Sequence, residues 1–275
     1  MKQKSFISTS VFFVIFMGCF ITSNLIIKGN RKNMGASFIL QIPAIPASAI
    51  KLITGEFNGL MSDFLLLQIS SFLGSNQKIS NQEWGEINLG YQQIMTLDPY
   101  FQQAFIQIQG IMAWNRDMTP AAIDLLKIPE KNRPWDWIPG YYIGFDYYYF
   151  LQDFEKASQV FLKTAAIKKA PLLIALLGSR FAVQGQRIET SLLSLKYMVD
   201  DPELSEDSKN EIQDRIILLK GILILERAVV KYKTLYSTLP GTLNDLIKGN
   251  IITSLPEHPE FMPYQYNSQT GEIKY

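Results

Sequence analysis

Apolar residues return every three or four positions through most of this chain, which is the period of helices that bury one face. Within residues 50–73, Phe57, Leu60, Met61, Phe64, Leu65 and Ile69 keep that spacing and predict one helix, with Asp63 among them as a capping, packing or ion-pairing residue. Residues 84–97 predict a second helix, ended by Asp98-Pro99, because proline cannot continue a helix but can open the next. A third helix is expected over 100–114. Asn115-Arg116-Asp117 then turns the chain, and Pro120 sits in the first turn of a short fourth helix. Residues 128–139 hold three prolines and two tryptophans and read as an ordered, non-helical connection onto which Trp135 and Trp137 fold back. Four more helices are expected over 140–152, 154–168, 171–183 and 188–199, the last ended by Asp200-Asp201-Pro202. The fifth of the series is loaded with tyrosine, and the sixth places Ala157, Phe161 and Ala165 on its inner side.

Beyond Pro202 the pattern predicts one long helix over 205–236. Ser205 is its N-cap, and Glu206 and Asp207 stand in the first turn, where acids are favoured. Residues 216–225 are almost wholly apolar, with Lys220 the interruption. Ten residues are too few to cross a bilayer, so this is expected to be a buried helix that closes the end of the helical array. The tail predicts a short helix from Thr242 with Gly249 as its C-cap, then a loop. Two short antiparallel strands follow, around a turn at 267–271.

The N-terminus is different. Lys2 and Lys4 precede 22 uncharged residues, Phe6 to Ile27, long enough for the ~30 Å core of a bilayer. They predict an uncleaved transmembrane anchor. Cys19 after Gly18 suggests a lipid attachment site, but Phe16 and Met17 are bulkier than such a site favours, and a plain buried thiol is the simpler reading. Pro43 and Pro46 exclude a regular helix and mark a linker. The expected organisation is an anchor over 1–33, a linker over 34–49, a helical-repeat domain over 50–204, a capping helix over 205–237 and a tail over 238–275. The fold class is all-α.

Charge changes the picture little. Five of the 26 basic residues lie in the first 33 positions, which carry no acid, so the remainder is mildly acidic. That argues against nucleic acid as a partner, which needs a basic stripe. With one cysteine and one histidine, neither an intrachain disulfide nor a Cys/His zinc site can form. No phosphate-binding loop, nucleophile elbow or zinc-protease motif occurs, and His258, between Glu257 and Pro259, reads as a surface residue. The expectation is a protein that is not an enzyme, without cofactor or metal.

Ile174, Leu177-Gly178, Phe181, Gly185 and Pro202 follow the order of marker residues in a tetratricopeptide repeat. Tyr141, Tyr148, Ala157 and Phe161 follow it one unit earlier, and Ala121 and Leu125 one unit before that. Over about residues 84–202 the chain resembles that family, although Gly110 and Gly144 are out of place and 128–139 interrupts the spacing. The resemblance implies an α-hairpin solenoid whose first helices line a concave groove for a protein or peptide segment. Its groove positions are Gln103, Ile106, Gly110, Tyr142, Asp146, Tyr149 and Ser179, with the tyrosines as contact surface or as packing between helices. The layout as a whole also resembles a group of uncharacterised bacterial membrane-anchored repeat proteins. That implies a single pass through the inner (cytoplasmic) membrane with the body periplasmic or otherwise outside the cytoplasm. In the tail, Tyr236, Pro240, Leu243, Leu246, Gly249, Leu255-Pro256, Tyr264, Tyr266 and Gly271 resemble the C-terminal segment of type II secretion pseudopilins. His258-Pro259 stands where that family has Asp-Pro, so its calcium ligands do not carry over. This second resemblance implies the alternative of a pilus or secretion component, with envelope or pilus proteins as partners.

Overall fold

The computed structural model describes residues 16–18, 20–23, 40, 42–75, 78–115, 117–185 and 187–274. The chain divides into two compact units, Met1–Ile94 and Met95–Tyr275.

In the first unit, α1 (Ala47–Thr54) passes through a single 3-10 turn, Gly55–Phe57, into α2 (Asn58–Ser75). The one helix expected over 50–73 is therefore broken. The break falls at Gly55, whose φ of +51° is costly for any residue with a Cβ. α2 buries Ser62, Leu65, Ile69 and Phe72 and leaves Phe64, Leu60 and Leu67 exposed. Its apolar residues surround the helix, so their spacing alone did not say which side faces inward. α3 (Asn81–Leu97) opens with a reciprocal cap: Ser80 N donates to Glu83 Oε2 at 2.7 Å, and Glu83 N donates to Ser80 Oγ at 3.3 Å. The Pro43–Pro46 segment is tied down by Gln93, whose Nε2 donates to the carbonyls of Pro43 at 2.7 Å and Ile45 at 3.0 Å.

Among the described residues no helix is long and apolar enough to cross a membrane. This corrects the expected transmembrane anchor, and with it the single-pass inner-membrane location. Most of Phe6–Ile27 lies outside the described residues, as do Cys19 and the lipidation reading attached to it.

The second unit is a run of helices, most of them packed on their neighbours in sequence. α4 (Gln102–Gln107) continues into a π-helical stretch, Ile108–Met112. Then follow α5 (Thr119–Asn132), α6 (Ile138–Tyr149), α7 (Phe154–Ala165), α8 (Leu172–Gln184), α9 (Ile188–Val199) and α10 (Glu206–Tyr236). The non-helical connection expected over 128–139 is shorter than that. α5 runs through Pro129 to Asn132, its last turn closed by Asn132 Nδ2 donating to Ile128 O at 2.8 Å and Arg133 N to Pro129 O at 2.8 Å. The remaining link is pinned by an Arg133–Asp136 ion pair at 2.9 Å and by Trp135 stacked on Tyr100 at 6.3 Å.

α7 packs between α6 and α8. Asp153 caps it by accepting from Lys156 N at 3.0 Å, and it buries Ala157, Ser158, Phe161, Leu162, Thr164 and Ala165. The close approach to α8 needs Gly178, where an added Cβ would stand 3.0 Å from Leu162 N; Ser158 Oγ donates to the carbonyl of Gly178 at 2.8 Å. α10 carries the end of the core through Ile212, Leu219, Ile222 and Leu225 and receives the tail. The tail consists of α11 (Asn244–Lys248) and strands β1 (Gln265–Tyr266) and β2 (Ile273–Lys274), paired antiparallel with Tyr266 opposite Ile273. Tyr264 and Tyr266 fasten it, donating to the carbonyls of Glu257 and Pro240, each at 2.9 Å.

Candidate protein-binding face

α4 and its π continuation carry no charged residue. Their inner side is apolar apart from one amide: Ala104, Phe105, Ile108, Gln109 and Met112 are buried. The outer side shows Gln103, Ile106, Gly110 and Trp114, all exposed. The π stretch inserts a wider turn between the two ends of this row, closed by Ala113 N donating to Ile108 O at 3.2 Å. Such insertions re-aim the side chains that follow and recur at functional sites. A Cβ at Gly110 would meet nothing within 4 Å, so the row has a notch between Ile106 and Trp114.

α6 forms the other wall. Its tyrosines divide by direction. Tyr148 stacks on Phe181 at 4.3 Å and Tyr141 lies 5.9 Å from Phe161, so these two belong to the core. Tyr149 turns the other way, stacking on Phe145 at 5.3 Å and meeting Trp114 at 5.8 Å, while Trp114 sets its edge against Phe150 at 5.3 Å. Ile106, Trp114 and Tyr149 remain 43%, 58% and 49% exposed. The result is a shallow face of large apolar side chains standing on an interlocked aromatic layer.

Of the positions expected to line a groove, Gln103, Ile106, Gly110 and Tyr149 are exposed on these two walls, and Tyr142 is half-buried, its phenol pKa raised by burial and then by Tyr141 and Asp136. Two are not surface residues. Ser179 is buried and donates within its own helix to Leu176 O at 2.8 Å. Asp146 is fully buried beneath the face, so it is no exposed acceptor for a partner. Gln109 Nε2 donates to Asp146 Oδ1 at 2.8 Å, and burial pushes the carboxyl up to about 7 against the opposing pull of that hydrogen bond. Trp114 was missed, although it continues the exposed row from Gly110 by one further turn.

The rest of the surface offers less. Among the described residues no three metal-binding side chains come together. His258 accepts from Glu260 N at Nδ1, 3.2 Å away, and rests edge-on against Tyr264. It lines a cleft of about 580 Å³ with Leu255, Pro256, Phe261 and Met262. A second cleft of about 780 Å³ contains Glu189, Glu226, Arg227 and Lys233, and in it Arg227 and Glu189 pair at 2.8 Å. Glu226 has a raised pKa from burial and from its neighbour Glu189.

No protein-family model, curated protein or solved structure matches this chain.

Proposed function

We propose that this chain is a non-enzymatic helical-repeat scaffold, organised like tetratricopeptide proteins, that holds a protein or peptide segment on the face formed by α4, its π continuation and α6. The observation that carries the proposal is the Trp114–Tyr149 pair, 5.8 Å apart and about half exposed, with Ile106 exposed on the same helical row as Trp114. Tryptophan and tyrosine are the residue types that dominate interface energetics, because they cover large area with few rotatable bonds. They are already ordered here by Phe145 and Phe150, so little side-chain entropy is lost when a partner arrives. The uncharged wall favours an apolar segment over an acidic or basic one.

The test is site-directed photo-crosslinking of the full chain in cells. A photoreactive phenylalanine at Ile106 should give a discrete adduct, and one at Lys131, exposed at the end of α5, should not. Combining Trp114→Ala with Tyr149→Ala should remove the Ile106 adduct while the helical circular dichroism persists. Equal adducts at both positions, or an adduct indifferent to the double substitution, would overturn the reading.

A further inference from the structure

Beneath that face lies an incomplete hydrogen-bond count. Gln109 and Asp146 are both buried, and one bond joins them, Gln109 Nε2 to Asp146 Oδ1 at 2.8 Å. Asp146 Oδ2 and Gln109 Oε1 are buried as well and have no partner. An ionised carboxylate only accepts, and the amide oxygen only accepts, so these two atoms cannot satisfy each other while Asp146 is charged. A proton on Oδ2 changes that. The acid then donates Oδ2–H to Oε1 and accepts Nε2–H at Oδ1, closing an eight-membered acid–amide ring in which both orphan oxygens are used.

We propose that Asp146 is protonated in the folded chain and latches α6 to the π stretch through a two-bond pair with Gln109, and that losing this proton loosens the two walls beneath Trp114 and Tyr149. The ionisable neighbours leave the latch to itself. α5 carries Asp124, Lys127, Glu130 and Lys131, α7 carries Glu155, Lys156 and Lys163, and α4 with the π stretch carries none. Asp124 pairs with Lys127, Glu130 with Lys163, Lys156 with Asp153 and Glu155 with Arg187. Lys127 and Lys156 have raised pKa values, first through their hydrogen bonds to Asp124 and Asp153 and to a lesser extent through Tyr147. Burial and the Gln109 bond alone set the proton affinity of Asp146.

The direction of the pH effect follows. The carboxyl is raised from 3.8 to about 7 in the folded chain. The stability it contributes is complete below the lower value, declines as pH rises between the two, and is gone above the upper one. One proton held by the folded state and not by the unfolded state changes the unfolding constant by about tenfold per pH unit across that window. The effect on the face rests on the protein-binding reading; the acid–amide pair does not.

Two measurements on the full chain test the pair. Carboxyl carbon NMR of wild-type protein should show one aspartate titrating near 7 that vanishes in Asp146→Asn; titration of Asp146 near 4 overturns the proposal. The substituted amide supplies an N–H where the acid has its O–H and does not titrate. The ratio of wild-type to Asp146→Asn unfolding constants should therefore rise about tenfold per pH unit between pH 4 and 7 and level off above; a ratio independent of pH overturns it. If the variant does not fold, the wild-type titration still decides. The Ile106 adduct should weaken from pH 6 to 8 in wild type and stay level in Asp146→Asn. An adduct equally pH-independent in both overturns the link to the face, whereas no adduct at any pH removes the binding reading and leaves the titration to judge the pair.

Discussion

Replacing Gly221 with alanine should prise the tail from α10. The added methyl carbon would stand 2.8 Å from Tyr264 Cζ and 3.2 Å from Pro256 Cβ, with the Tyr264 hydroxyl closer still. Tyr264 has little room to retreat: it is buried, its hydroxyl is bonded to Glu257 O at 2.9 Å, and its ring meets His258 at 5.2 Å. Overpacking of this kind costs about 1–3 kcal/mol. Losing the tyrosine hydrogen bond adds about 1 kcal/mol. Alanine returns about 1 kcal/mol in helix propensity, leaving a net loss of about 1–3 kcal/mol. For a unit of this size that lowers Tm by roughly 3–10 °C. Thermal unfolding followed by circular dichroism reads it directly. The discriminating measurement is the cycle with Tyr264→Phe, which removes the atom the methyl strikes first. The double variant should be less destabilised than the sum of the singles, by about 1 kcal/mol or more. A Gly221→Ala protein that melts like wild type, or singles that add within about 0.5 kcal/mol, would refute the packing of Tyr264 over Gly221.

Other substitutions probe the hairpins. Gly178→Ala places a carbon 2.9 Å from Leu162 Cγ and forces α7 from α8, so it should cost about 2 kcal/mol or more in denaturant unfolding. Ser158→Ala, which only removes the 2.8 Å bond to Gly178 O, should cost about 1 kcal/mol. Asp153→Ala should cost about 1 kcal/mol through loss of the α7 cap, and Asp153→Asn much less, since asparagine caps as well.

Much of the helical layout was legible along the chain because its signals are local. Ser205 with Glu206 and Asp207 announced the start of α10, and Ser205 Oγ accepts from Ser208 N at 3.2 Å. Asp153 announced α7 in the same way, and the apolar period from Ile188 to Val199 matches α9 residue for residue. A cap or a period is a relation among residues a turn or two apart, so no distant contact is needed to establish it. Of the positions expected to line a groove, some were legible as surface and some were not. Spacing along one helix placed Ile106 and Gly110 on one side, but Asp146 turned inward, and Trp114 emerged as part of the surface only where the π stretch meets α6.

What the order of residues left open is how each helix is turned and what it meets. The apolar residues of α2 run all round the helix, so Ser62 faces inward while Leu60 and Phe64 face out, a choice set by neighbours distant in sequence. Pro129 sits inside α5 because the turn after it finds hydrogen-bond partners, and Gly55 divides a stretch whose apolar period looked unbroken. Local chemistry specifies where a helix begins and ends. Burial is a property of facing surfaces, and those exist only after helices far apart in sequence have packed. The same packing sealed Asp146 and Gln109 from water and made the proton of a single carboxyl matter.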